Sequence, residues 1–261
     1  MNTRIEGIMS VMLTLFTERN DIDWAALERL VEWYIDHGAD ALFAVAQSSE
    51  MQFLSLTERE ALGRAVVRQV AGRIPVVVSG HVSDDIDAQV EELTVAAKTG
   101  ADAVILVTNH LDPKKAGGAD AFTATLDALL ARLPRDTPLG LYECPAPFRR
   151  LLGDDELRRC IDTGCFMVLK DVSCDLPTVK RRAAMVEGSP RSLVNANAAI
   201  AWDAMLAGSR GFCGVHTNYH PDLHKWLMTS GAHYPDLRRG LCRSSRWLRC
   251  PKRTAIPHRP S

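Results

Sequence analysis

The 261-residue chain is 46% hydrophobic and 24% charged, with a net charge of −1. This is the balance of an ordinary globular protein, long enough for one large α/β domain or two small ones. It excludes a global electrostatic pull toward nucleic acid or an anionic membrane, and no apolar run approaches the ~20 residues of a membrane span.

The first residues, Met1 to Glu6, include an acid and are followed by no signal-peptide core. A cytoplasmic location is therefore expected. Seven cysteines (144, 160, 165, 174, 213, 242 and 250) form no C-x-x-C pair. An odd number without such pairs argues against both a disulfide framework and a zinc knuckle.

From residue 7 onward short apolar runs alternate with amphipathic segments. Ile8 to Thr14 reads as the first strand. A helix follows with Asp23 as N-cap, Leu27, Leu30, Val31, Tyr34 and Ile35 on one face, and Gly38 at its end. Ala41 to Ala46 is the second strand, and the capping box Ser55–Glu58 opens a helix to about Ala71. Ile74 to Ser79 is the third strand, with a helix capped by Ser83 running to Lys98. Ala103 to Val107 is the fourth, followed by a loop with Pro113 and Gly117–Gly118 and a helix from Ala121 to Leu133.

Leu139 to Tyr142 is the fifth strand and Asp154 to Asp162 its helix. The sixth strand begins with four apolar residues, Phe166 to Leu169, and delivers Lys170. A helix then spans Pro177 to Val186. Ser192 to Asn195 is the seventh strand, with a helix from Ala196 to Ala207, and Gly211 to Val215 is the eighth. Pro221 starts an eighth helix ending near Ser230. Eight strands, each followed by a helix, predict a (β/α)8 barrel over residues 1–237. The competing doubly wound sheet would carry a glycine-rich dinucleotide loop after its first strand, and the chain has none.

In a barrel the chemistry sits where strands end. Those positions are Thr14, Gln47 to Glu50, Thr108, Tyr142, Lys170, Asn195 and Val215. A lysine at the end of a buried strand is costly unless it is paired or used. Its neutral amine attacks carbonyls to form Schiff bases, whereas the structural alternative is a lysine reaching out to a carboxylate such as Asp171. Tyr142 offers a phenol for proton transfer, and Gln47, Ser48 and Ser49 offer groups suited to a carboxylate. Asn195 and Val215, at the last strand ends, complete the expected substrate-binding set. His216, His220 and His224 are spaced like metal ligands, but Pro221 interrupts the helix that would align them. No metal site is expected.

The order of these groups resembles the dihydrodipicolinate synthase/N-acetylneuraminate lyase family of class I aldolases. In such proteins the second strand ends in G-T/S-T-G-E, here Ala46-Gln47-Ser48-Ser49-Glu50. The fifth ends in Y-x-x-P, here Tyr142-Glu143-Cys144-Pro145. The sixth carries G-x-K-E/D-x-S-x-D, here Val168-Leu169-Lys170-Asp171-Val172-Ser173-Cys174-Asp175. The resemblance implies a Schiff base between Lys170 and pyruvate or a related 2-keto acid. It also implies Tyr142 as proton relay, carboxylate binding by Ser48 and Ser49, no cofactor, and a homotetramer.

Three departures modify that expectation. Gln47 stands where the family has a threonine linking the catalytic tyrosine to a second tyrosine from a neighbouring subunit. The T-P-Y-Y-N segment that supplies this phenol reads Thr108-Asn109-His110-Leu111-Asp112, leaving Gln47 or His110 to substitute. The arginine that grips a distal carboxylate falls at Pro147, with Arg149 and Arg150 out of register. The expected activity is thus aldol cleavage, condensation or dehydration of a 2-keto-3-deoxy acid, not dihydrodipicolinate synthesis. The alternatives are a keto-acid-binding barrel with impaired turnover and a metal-dependent barrel enzyme.

From Arg238 to Ser261 the composition shifts to seven arginines, one lysine, three prolines and no acid, so this stretch carries +8 and the rest −9. No helical or strand period is visible in it. It reads as an aberrant, unstructured tail that replaces closing helices, the alternative being an authentic basic tail for nucleic acid or an acidic partner.

Overall fold

The computed structural model describes residues 4–112, 119–134 and 136–244. The loop with Pro113 and Gly117–Gly118, and residues 245–261 of the basic stretch, lie outside them. Eight parallel strands close into a barrel in sequence order. They are β1 Gly7–Val11, β2 Ala41–Val45, β3 Val76–Ser79, β4 Ala103–Val107, β5 Leu139–Tyr142, β6 Phe166–Asp171, β7 Ser192–Asn195 and β8 Gly211–Phe212. The outer helices are α1 Trp24–Asp36, α2 Leu56–Val70, α3 Ile86–Ala97, α4 Ala119–Leu130, α5 Asp154–Asp162, α6 Leu176–Val186, α7 Ala201–Leu206, α8 Pro221–Ser230 and α9 Pro235–Ser244. Every residue of β2 and β4 is buried, which is why these strands read as unbroken apolar runs.

Register divides the barrel wall into inward and outward residues. Ile105, Gly140 and Val168 are partners at one level, and Val107, Tyr142 and Lys170 at the level above. A Cβ on Gly140 would lie 2.4 Å from Ile105 Cδ1 and 2.8 Å from Val168 Cγ1. Only glycine lets those two side chains fill the lower interior layer. Outward residues pack on the helices, and Phe212, Ile8 and Leu227 share a cluster over the seam between β8 and β1.

Several boundaries differ from the sequence reading. The first strand stops at Val11, and Thr14 instead donates its hydroxyl to the Ser49 carbonyl at 2.9 Å, tying two loops together. Asp85, not Ser83, caps α3, because its carboxylate accepts the N–H groups of Asp87 and Ala88; Ser83 bonds Glu92. The helix after β7 starts only at Ala201, behind a 3-10 turn over Ala198–Ile200. The eighth strand has two residues, and Val215 opens a 3-10 turn through Asn218.

The basic stretch is also not structureless throughout. Residues 238–244 belong to α9, where Leu241 packs against the cluster over the seam and the Arg238 guanidinium lies 4.5 Å from the Trp202 ring centroid. The i, i+4 pair Leu237 and Leu241 carries the helical period that the arginines obscure. The seam itself is covered by α8, the helix expected from Pro221 to about Ser230. Leu227 is buried there, and the His224 ring lies 4.1 Å from that of Phe212. None of the described helices is long and apolar enough to cross a membrane.

Candidate active site

Lys170 is 5% exposed, at the carboxyl-terminal end of β6. Its Nζ lies 4.3 Å from the Tyr142 ring centroid and 5.2 Å from that of Phe43. The Phe43 and Tyr142 rings meet edge to face at 5.5 Å. Phe43 belongs to β2, opposite β6 in the closed barrel, so residues from these two strands can meet only in the interior. Lys170, Tyr142 and Phe43 therefore form one aromatic-walled amine site inside the barrel mouth.

Asp171, the carboxylate a reaching lysine would seek, points the other way. It accepts from Arg182 Nη1 at 2.5 Å and from the Ser173 hydroxyl at 2.6 Å. No ion pair engages Lys170 among the described residues. Arg182, from α6, is fully buried and also grips Glu143, the residue after Tyr142, through Nη2 at 2.6 Å and Nη1 at 3.0 Å. Burial raises the Glu143 carboxyl, and Arg182 opposes it. The hydrogen bonds decide its charge. Each Glu143 oxygen accepts one guanidinium N–H and one backbone N–H, from Leu152 at 2.7 Å and Val172 at 3.0 Å. Four donors and no acceptor leave no place for a carboxylic proton, so the group is a carboxylate. This outward-facing triad pins the ends of β5 and β6 together and so sets Tyr142 beside Lys170.

Among the described cysteines, Cys213 lies at the lysine. It is fully buried, and burial pushes its thiol pKa up while the neighbouring Lys170 opposes that shift. Cys144 instead lies 3.4 Å from Gln47 Oε1, which also accepts from Gln52 Nε2 at 2.6 Å. Gln47 thus bridges toward the loop that follows Tyr142.

Ser48 and Ser49 differ sharply. The Ser49 hydroxyl donates toward the Met12 and Ala44 carbonyls, 2.8 Å from each, and accepts the Ala46 N–H at 3.1 Å. It is spent on holding the turn. Ser48 is half-buried, and no described residue hydrogen-bonds its hydroxyl. Asn195 is not brought to the site. It shares the outward register of Asp171 and Phe212, and its amide bonds the backbone of Asn197. Val215 is 47% exposed in the turn after β8.

Other side chains near the mouth are committed to structure. Asn109 holds the carbonyls of Cys144, Ala146 and Phe148. Arg150 binds Glu156 and Asp112, and Arg149 reaches the Val172 carbonyl. His216 and His224 lie with ring centroids 5.9 Å apart, and His220 Nδ1 is 3.7 Å from Asp222. Sequence reasoning missed Glu143, Arg182 and Cys213. The only signal for the first two was a pair of charged residues at apolar-patterned positions, too common to single out.

Residues 4–233 match the family model described as the dihydrodipicolinate synthetase family. The chain is 30% identical over 221 residues to a 4-hydroxy-tetrahydrodipicolinate synthase of Pseudomonas savastanoi pv. phaseolicola, covering 84% of this chain and 73% of that one. Its fold is similar to that of a dihydrodipicolinate synthase from Acinetobacter baumannii complexed with pyruvate (TM-score 0.82, 24% identity, 96% of this chain and 85% of that one). It is also similar to that of CdNal from Clostridium difficile in complex with mannosamine (TM-score 0.81, 16% identity, 94% and 83%).

Proposed function

Because the chain belongs to the dihydrodipicolinate synthetase family, we propose that it is a Schiff-base lyase that cleaves, condenses or dehydrates 2-keto acids through Lys170. The observation that carries this reading is the placement of the Lys170 amine inside the barrel mouth, against the Tyr142 ring and with its neighbouring carboxylate turned away to Arg182. The pyruvate bound to the Acinetobacter baumannii protein supports a keto acid as ligand.

In the cleavage direction the neutral amine attacks the C2 carbonyl, giving a carbinolamine that loses water to an iminium. The C3–C4 bond then breaks. Its electron pair passes to the iminium as an enamine, while the C4 hydroxyl gives up its proton and becomes the aldehyde carbonyl. Protonation of the enamine at C3 and hydrolysis return the amine and pyruvate. Tyr142 is the proton carrier for the carbinolamine and the C4 oxygen. Ser48 binds the keto-acid carboxylate. With Arg149 and Arg150 engaged elsewhere, the arrangement favours a substrate without a distal carboxylate, such as a 2-keto-3-deoxy acid.

Borohydride reduction in the presence of pyruvate, followed by peptide mass mapping, tests the proposal. A stable adduct on Lys170 is expected. Ligand binding without any adduct would overturn the Schiff-base chemistry.

A further inference from the structure

Two histidines that the Schiff-base chemistry leaves unused stand at the same end of the barrel. Gly80 prolongs the β3 ladder by donating its N–H to the Ile105 carbonyl at 2.9 Å. A Cβ on Gly80 would run into Leu93 of α3, so this position faces the helices. Alternation along the strand then turns the next residue, His81, inward. His81 is fully buried, and its Nε2 accepts the Val107 N–H at 3.0 Å. Val107 is the register partner of Tyr142, which pairs with Lys170. His81 therefore lies at the level of the amine site. His110 occupies the 3-10 turn directly after β4, and its ring centroid is 5.7 Å from that of His81 at an interplanar angle of 64°.

The hydrogen bonds assign the protons on both rings. A nitrogen that accepts an amide N–H carries no proton, so neutral His81 holds its proton on Nδ1. Burial keeps it neutral, with its pKa pushed down to about 3. That Nδ1–H is buried, with the Ser83 carbonyl beside it and no hydrogen bond of good geometry to any described residue. His110 Nδ1 is 2.6 Å from Asp84, whose carboxylate can only accept. The proton of a neutral His110 is thus on Nδ1, and Nε2 is a bare acceptor. It too is buried and unpaired among the described residues. Unpaired buried polar atoms destabilise a fold, and those retained beside an amine site point to a ligand that completes them.

We propose that His81 and His110 bind one alcohol group of the substrate, His81 Nδ1–H donating to its oxygen and His110 Nε2 accepting its proton, and so select hydroxylated 2-keto acids. A hydroxyl both donates and accepts, which is what this pair requires. A keto or carboxylate oxygen satisfies His81 alone, and an ammonium satisfies His110 alone. Asp84 is the positioning residue that fixes the His110 tautomer. The inference rests on the Schiff-base reading, because Lys170 anchors the keto carbon from which the hydroxyl is measured.

The test compares two probes in borohydride trapping on Lys170, 2-ketobutyrate and 4-hydroxy-2-ketobutyrate, with half-saturation read by mass spectrometry. The wild-type protein is expected to saturate at lower concentrations of the hydroxylated acid. His110→Leu should reduce that preference roughly ten- to a hundredfold, as loss of a buried hydrogen-bond partner does. Asp84→Ala should reduce it in the same direction by a smaller factor. Asp84 is 63% exposed, so this variant decides the matter if His110→Leu does not fold. A preference unaltered by either variant, or no preference in the wild type, overturns the hydroxyl-binding pair while leaving the Schiff base standing. Absence of any Lys170 adduct fails the Schiff-base reading itself and the inference with it.

Discussion

Arg182 and Glu143 meet as a buried, two-pronged ion pair directly behind the Tyr142–Lys170 site, with nitrogen–oxygen distances of 2.6 and 3.0 Å. Asp171 makes the third member. Desolvation makes such a cluster a modest net contributor to stability, but removing one member leaves uncompensated charge. Arg182→Met should destabilise the fold by about 3–5 kcal/mol, measured by urea unfolding. Replacing all three members by apolar residues should not restore stability, since the Leu152 and Val172 N–H groups would lose their acceptor. A triple variant as stable as wild type would show that the triad does not hold the strand ends.

Tyr142→Phe retains the ring against Lys170 and Phe43 and removes only the phenol. Turnover should fall by roughly 10²–10⁴, while borohydride still traps the adduct, more slowly. Unchanged turnover would remove Tyr142 from the proton path.

The two serines separate binding from stability. Ser48→Ala should raise KM for keto acids more than it lowers kcat, because it removes an interaction made equally in ground and transition states. Ser49→Ala should instead lower stability by about 1–3 kcal/mol, leaving the Ala46 N–H and two carbonyls short of a partner. Steady-state kinetics and thermal melts on both variants check this. A stable Ser49→Ala protein with a raised KM would reverse the roles.

Two buried histidines make stability depend on pH. Burial lowers His224 to about 4 and His81 to about 3. Between each folded value and the ordinary value near 6.5, the unfolded chain binds a proton that the folded one does not. Stability is therefore full above pH 6.5 and declines as pH falls, by at most ~1.4 kcal/mol per pH unit for each histidine. Melts from pH 7 to pH 5 should show this decline, and His224→Phe should remove part of it while keeping the stack on Phe212. A flat profile over that window would contradict the buried neutral rings.

Much of this protein is readable without its structure, because a strand buried on both faces and a helix with one apolar face each declare themselves within a few residues. The eight-strand order and the positions of Tyr142 and Lys170 at strand ends are local properties of that kind. Even the sharp distinction between Lys170 and Asp171, adjacent residues on opposite faces, follows from the two-residue period of a strand. What became of Asp171 does not. Its partner Arg182 sits on the next helix, and Glu143, the other carboxylate in that pair, is 39 residues from Arg182.

Tertiary structure alone decided which cysteine lies by the amine, which serine hydroxyl is spent on its own turn, and that Asn195 faces the helices. It also revealed complementary unpaired nitrogens on His81 and His110, residues whose loops meet only because β3 and β4 are neighbours. The basic stretch shows the converse. Its arginines dominate the composition, yet Leu241 of α9 packs against an apolar cluster that only the closed barrel provides. Local pattern sets where a side chain points relative to its own backbone. Which groups meet there depends on chain closure over tens of residues, and no window of sequence contains that information.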